Sequence, residues 1–185
     1  KRTMLETINH DADRVTRLLK ELLAVSRIDA GRVQMHREMV DVVALAEGLL
    51  ERVRHRDEGI GRDLQLDVEG TPPRMFVDPD KLEQVFSNLV ENALTYAPDS
   101  QVRVRIGVDG DELRVTVADD GPGIPQDQVR RIFEKFGRGR EQRRAGTGLG
   151  LYITRGLVLA HGGRVWCEPT DGGGATFHVT LPATT

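Results

Sequence analysis

VRVRIGVDGDELRVTVAD, residues 102–119, alternates apolar and polar side chains on both sides of an Asp-Gly turn. Val102, Val104, Ile106 and Val108 make one apolar row, and Leu113, Val115 and Val117 make the other. Period-two alternation across Asp109-Gly110-Asp111 predicts a β-hairpin with one buried face. Upstream, Asp78-Pro79 is a helix start, an N-cap followed by proline at the first helical position. The helix it opens runs to about Tyr96, where Ala97-Pro98 stops it. Further back, Leu64, Leu66 and Val68 alternate as a strand. Before that, a short strand over residues 33–39 leads to Asp41, an N-cap for an amphipathic helix reaching about residue 56. Downstream, residues 148–161 read as a helix, and residues 165–168 and 175–181 as a strand pair separated by Gly172-Gly173-Gly174. This alternation lacks the regular spacing of a doubly wound parallel sheet. The expected architecture is an α/β (α+β) sandwich, a mixed sheet with helices on one face.

One long helix precedes that unit. Leu5, Ile8, Ala12, Val15, Leu18, Leu19, Leu22, Val25 and Ile28 recur at three and four residues, and Gly31 is a natural stop. Leu18 beside Leu19, and Leu22 beside Leu23, widen the stripe beyond a two-stranded seam. That width fits a helix of a four-helix bundle, which cannot bury its face alone. Partner helices are expected from chain upstream or from a second subunit. The chain starts at Lys1 with helical periodicity under way and reads as the C-terminal part of a longer protein.

Composition narrows the class. The 185 residues are 38% hydrophobic and 30% charged, ordinary for a soluble globular protein. A net charge of −3, with Lys and Arg concentrated only in one short loop, argues against nucleic acid as a partner. The single cysteine, Cys167, forms no internal disulfide and suits a reducing compartment such as cytoplasm. No run of about 18 apolar residues exists, so membrane attachment is expected only through segments outside this chain.

Four segments carry chemistry: NLVENA (residues 88–93), DDGPGIP (119–125), IFEKF (132–136) and GTGLGL (146–151). Each suits a different part of one nucleotide, namely the metal, the base, the lid and the phosphates. Asn88 and Asn92 are four apart and share a helix face. An amide oxygen is a hard, neutral ligand suited to magnesium that already carries phosphate oxygens and waters, although such a pair also simply caps or solvates helices. Asp119 ends a hydrophobic strand. A carboxylate there can accept a hydrogen bond from an exocyclic amine such as that of adenine, worth about 1.5–3 kcal/mol. Alone, Asp-Gly-Pro-Gly is equally good surface-turn chemistry. Gly146-Thr147-Gly148-Leu149-Gly150 precedes a helix and aims unpaired N–H groups and a helix dipole at an anion. It has neither the Lys-Ser/Thr of a P-loop nor a Rossmann setting, and by itself it also reads as a hinge with a helix cap. Arg138, Arg140, Arg143 and Arg144 form a basic loop able to close over a triphosphate, or a solvated charge run.

Together these segments resemble the kinase core of bacterial sensor histidine kinases, within the GHKL ATPase superfamily. NLVENALTYAP resembles the N box, VADDGPGIP the first glycine box, IFEKFGR the F box and GTGLGL the second glycine box. LLKELLAVSRIDAG, ending at Gly31, resembles the close of the second helix of a dimerisation and histidine-phosphotransfer domain. The resemblance implies a GHKL (Bergerat) ATP-binding fold over residues 32–185, preceded by a bundle helix in residues 1–31 that pairs in a homodimer. It implies ATP and magnesium as cofactors, a response regulator as partner, and a cytoplasmic domain of a membrane-anchored bacterial protein. Asn88, Asn92 and Arg138 are the implied catalytic residues, with Asn92 the magnesium ligand. Tyr96 would pack near the nucleotide and Asp119 would bind the adenine amine, with Gly121, Gly123 and Ile124 shaping the base pocket. Lys135, Phe136 and Arg138 would belong to the lid or its base. Gly146, Thr147, Gly148, Leu149 and Gly150 would frame the phosphates.

Two departures stand out. Many members of the family carry lysine three residues after the metal-binding asparagine, where this chain has Thr95. A lysine would add charge stabilisation near the phosphates. The phosphoacceptor box, a histidine followed by an acidic residue and then a proline, is missing. His10-Asp11 is the sole substitute, without the proline and in a segment that runs directly into the second-helix signature. His36, His55, His161 and His178 fall in the ATP-binding portion as structural or exposed residues. The alternatives are another GHKL ATPase of gyrase or chaperone type, a degenerate nucleotide-binding scaffold, and a serine kinase of the anti-sigma type. Gyrase and chaperone ATPases usually carry a glutamate where Asn88 stands.

Overall fold

The computed structural model describes residues 2–56, 63–98, 100–137, 147–170 and 172–183, with backbone alone for residues 2–11, 13 and 14. The first element is a 28-residue helix, α1 (Arg2–Asp29). A strand β1 (Glu38–Val40), helix α2 (Val42–Arg56), strands β2 (Leu64–Val68) and β3 (Met75–Val77), and helix α3 (Pro79–Tyr96) follow. Then come β4 (Val102–Asp109), β5 (Glu112–Asp119), one 3₁₀ turn (Arg131–Phe133), α4 (Gly150–Ala160), β6 (Arg164–Pro169) and β7 (Ala175–Pro182).

Five strands form a mixed sheet in the order β2-β4-β5-β7-β6. The β2/β4 pair is parallel, whereas β4/β5, β5/β7 and β6/β7 are antiparallel. The expected hairpin is present: Asp109 pairs with Glu112 around a two-residue loop, and Gly110 takes a φ of 62° there. Val104, Ile106, Val115, Val117, Phe177 and Val179 point to one face and are buried. Helices α2, α3 and α4 cover that face. On the other face Arg103 reaches Asp120 at 2.8 Å and Arg105 reaches Glu69 at 3.2 Å. A sheet with one oily and one ionic face requires a single helical layer, and it has one.

Asp41 caps α2 by accepting from the Ala44 N–H at 3.0 Å. Asp78 caps α3 through the Lys81 N–H at 3.0 Å, with proline in the first turn. The strand expected over residues 33–39 starts later, at Glu38. The His36 N–H is taken by the second Asp78 oxygen at 2.8 Å and is lost to strand pairing. The partner of β1 is β3, whose three residues Met75, Phe76 and Val77 are too short to register as periodicity.

Helix α1 is only partly unpartnered. Its last turns dock on the chain's own core: Val25 is buried, Ala24 and Ile28 pack against the core, and α1 contacts α4. Gly156 makes room, because a Cβ there would sit 2.6 Å from Ile28 Cδ1. Asp29 accepts a 2.5 Å hydrogen bond from the Tyr152 hydroxyl and an ion pair from Lys135. Earlier in the helix Val15, Leu19, Leu22 and Leu23 remain 51–59% exposed, an apolar row without cover in a single chain. Among the described residues no helix is long and apolar enough to cross a membrane.

His161, at the end of α4, ties that helix to the start of α3. Its Nδ1 lies 2.8 Å from the Leu157 carbonyl and so carries the proton, while Nε2 accepts the Asp78 N–H at 3.2 Å. Burial pushes this imidazole below its ordinary value of 6.5, against the opposing bond to Leu157. Burial also lowers His178, which stacks on Trp166 at 4.9 Å. A depressed folded value means stability that is complete above about pH 6.5 and is lost as pH falls through the folded pKa. Thermal melts of the wild type should therefore be flat from pH 8 to about 7 and decline towards pH 5. His161→Gln should melt lower at pH 7 and show a smaller drop between pH 7 and 5. An unchanged drop would remove His161 from the account.

Candidate functional site

A cavity opens between α3, α4 and the end of β5. Of the residues expected at a nucleotide site, Asn88, Asn92, Tyr96, Asp119, Gly123, Ile124, Thr147, Gly148 and Gly150 line it. Arg138 and Gly146 lie outside the described residues, as do Arg140, Arg143 and Arg144. Gly121 acts from behind the wall, since a Cβ there would fall 2.5 Å from Ala97 Cβ and 2.9 Å from Asp119 Oδ1. Leu149 is buried in the core at 2% exposure. Lys135 and Phe136 do not line the cavity: the Lys135 ammonium is engaged by Asp29, 5.3 Å from the Tyr152 ring centre, and Phe136 is 65% exposed at a φ of 58°.

Asp119 is the most constrained group. It closes β5 at 5% exposure, and its Oδ1 accepts from the N–H groups of Gly121 at 2.9 Å and Ala175 at 3.3 Å. Burial pushes its carboxyl above the ordinary value of 3.8, and the two backbone donors only partly offset this. The ionised form is thus held against its preference, as a carboxylate reserved for a donor would be. Its cradle depends on glycine. Gly174 sits at a φ of 95°, and a Cβ there would overlap the Asp119 carbonyl oxygen and lie 2.7 Å from its carbon. A Cβ on Gly123 would meet the Gly174 carbonyl at 2.9 Å. The triple glycine at 172–174 therefore does more than separate two strands, a role that sequence reasoning missed.

The opposite end of the cavity is built from α3 and α4. The Asn88 amide donates to the Gly150 carbonyl at 3.1 Å and to Thr154 Oγ1 at 3.3 Å, and Thr154 Oγ1 donates to the same carbonyl at 2.9 Å. This clamp seats the first turn of α4 against the asparagine helix. The Leu149 N–H is taken by Thr147 Oγ1 at 3.2 Å, and the Gly148 carbonyl accepts the Phe136 N–H at 3.1 Å. The next N–H groups of α4 are the unpaired donors of a helix start, with the positive end of its dipole. Asn92 is one turn beyond Asn88 and lines the same space. Among the described residues no three His, Cys, Asp or Glu side chains gather as a metal cluster, and the Asn92 amide oxygen is one of the hard oxygen donors on the cavity wall.

Thr95 lines the cavity and its hydroxyl donates back to the Glu91 carbonyl at 2.7 Å. Arg17 and Glu21 of α1 also line it. Sequence reasoning assigned α1 to a separate bundle, and no local signal in residues 17–21 pointed to the cavity.

Residues 77–185 match the family model described as Histidine kinase-, DNA gyrase B-, and HSP90-like ATPase, and the chain belongs to that family. Its fold is the GHKL ATPase fold. The chain is 33% identical to the sensor histidine kinase WalK of Bacillus subtilis, over 96% of its length and 30% of the relative's. It is 35% identical to the sensor histidine kinase MtrB of Mycolicibacterium paratuberculosis, over 96% and 32% of the two chains. To the adaptive-response sensory kinase SasA of a Synechococcus strain it is 32% identical, over 98% and 49%. The chain thus spans about a third to a half of these relatives. Among solved structures, full-length ShkA in complex with AMPPNP superposes with a TM-score of 0.88 at 29% identity, covering all of this chain and 39% of that one. The mycobacterial sensor histidine kinase MprB superposes at 0.68 with 30% identity, over 80% and 97%.

The glycine cradle gives a direct test. Gly174→Ala places a methyl where the Asp119 backbone stands and forces a left-handed φ on an alanine. Overpacking and strain together should destabilise the protein by roughly 2–3 kcal/mol in denaturant melts. Gly172→Ala meets no atom within 4 Å, carries only the φ strain, and should cost less.

Proposed function

We propose that this chain is the ATP-binding kinase core of a two-component sensor histidine kinase. The parent protein transfers the γ-phosphoryl of ATP to a histidine on a helix outside this chain, and the phosphoryl group then passes to an aspartate of a response regulator. The observation that carries this reading is the buried Asp119 carboxylate at one end of a cavity whose other end is the Asn88-clamped start of α4. Asp119 accepts the adenine amine, and Gly121, Gly123 and Ile124 shape the space for the ring, with Tyr96 alongside. The N–H groups at Thr147, Gly148 and Gly150 and the dipole of α4 face the phosphates. The Asn92 amide oxygen would hold magnesium, which when bound would supply charge compensation for the phosphates. Asn88 positions the phosphate loop. Arg138 and Gly146 lie outside the described residues and are assigned to the lid and the phosphate end by motif alone. The chain's contribution is placement and charge compensation, with no covalent intermediate on its own side chains.

The division at residue 31 into a bundle helix and a catalytic unit, and homodimerisation through α1, complete the proposal. The exposed row Val15, Leu19, Leu22 and Leu23 supports it, since such a row is expected to be covered. The scaffold alternative rests on Thr95, whose hydroxyl is turned to the Glu91 carbonyl and supplies no charge. Membrane anchoring of the parent would come from segments outside this chain.

Titration calorimetry with a non-hydrolysable ATP analogue and magnesium, on wild type and Asp119→Asn, tests the site. Wild type should bind in the micromolar range, and the variant should lose at least tenfold, about 1.4 kcal/mol, because its NH₂ group faces the donor amine. The empty variant should also melt higher, since burial disfavours the wild-type charge, a penalty that grows as pH rises above 3.8. A folded wild type that binds no analogue would favour the scaffold reading.

A further inference from the structure

Helix α1 supplies a wall of the cavity, and that wall carries charge. Glu21 and Arg17, one turn apart, both line the space shared with Asn88, Asn92, Gly148 and Gly150. The helix packs on α4, whose first turn opens the cavity at Gly150, so its charges enter on the phosphate side. Glu21 Oε2 is shielded from solvent and has no hydrogen-bond partner. Buried carboxylate oxygens are normally satisfied, and leaving one unpaired is costly. By contrast Glu91, another carboxylate on the lining, is paired with Arg56 at 3.3 Å.

We propose that Glu21 is a specificity-determining residue of the nucleotide cavity, reading the charge of the bound nucleotide and coupling it to the docking of α1. The proposal rests on the nucleotide-site reading. A polyanion entering the cavity meets a carboxylate whose Oε2 is shielded from solvent and has no hydrogen-bond partner, and like charges brought this close repel. Repulsion grows with each added phosphate and is absent for the nucleoside. Because coupling between two binding events is reciprocal, a triphosphate that is opposed by docked α1 also weakens that docking. The contact at stake is the one at Ile28–Gly156 and Asp29–Lys135–Tyr152. Nucleotide charge is thereby converted into a force on the proposed bundle helix α1 itself.

The test is calorimetric titration of wild type and Glu21→Gln with adenosine, ADP and a non-hydrolysable ATP analogue in magnesium-free buffer. The variant-to-wild-type affinity ratio should be near one for adenosine, rise for ADP and reach about tenfold for the triphosphate. Arg17→Gln should shift triphosphate affinity the opposite way. An equal ratio along the series, or a weaker triphosphate affinity in Glu21→Gln, would overturn the proposal. Both variants moving together would overturn it too, by pointing to packing. Binding of no adenine ligand by either folded protein would instead overturn the nucleotide-site reading beneath it.

Discussion

Asp119 is a carboxylate kept almost out of water at the end of β5, and the surrounding loops are shaped by that placement. Gly121 and Ala175 each give it one backbone donor, at 2.9 and 3.3 Å. Gly174 must come so near its carbonyl that no side chain fits. Gly121 must clear both Asp119 and Ala97. The turn after β5, the loop before β7 and the end of α3 are therefore packed around one acidic group whose ionised form burial disfavours. Such an arrangement is a cost to stability of the kind found at functional sites, and under the proposed function it serves recognition of a donor.

The second organising relation is the pairing of α3 with α4. The start of α3 is tied to the end of α4 through the Asp78 N–H and His161, and the middle of α3 to the start of α4 through Asn88 and Gly150. Two attachments fix both the tilt and the register of the helix whose N-terminus faces the cavity. Asp78 also holds the chain before β1 through the His36 N–H, so one capping residue serves three segments.

The hairpin, the proline-led helix and the sheet-with-one-helical-layer architecture were legible because each rests on local rules: period two, a capping aspartate, a turn glycine. The asparagine pair and Asp119 were legible as residue types, and the structure brings all three to one cavity. Three things were not. Strand β3 is three residues long and carries no period. The need for glycine at 174 comes from a carbonyl 55 residues away in sequence, which no local pattern encodes. The docking of α1 against Gly156, and with it the entry of Arg17 and Glu21 into the cavity, depends on tertiary packing between segments more than a hundred residues apart. Lys135 shows the same limit: a lid-base lysine by motif, it is drawn to Asp29 by the docked helix.

Recognition of an exocyclic amine by Asp119 is tested most directly by comparing affinities for ATP and inosine triphosphate, which has a carbonyl in place of that amine. A buried carboxylate facing a donor gains about 1.5–3 kcal/mol, and facing an acceptor it gains nothing. ATP should therefore bind at least about tenfold more tightly than inosine triphosphate. Equal affinities for the two would contradict the assignment of Asp119 as the residue that reads the base.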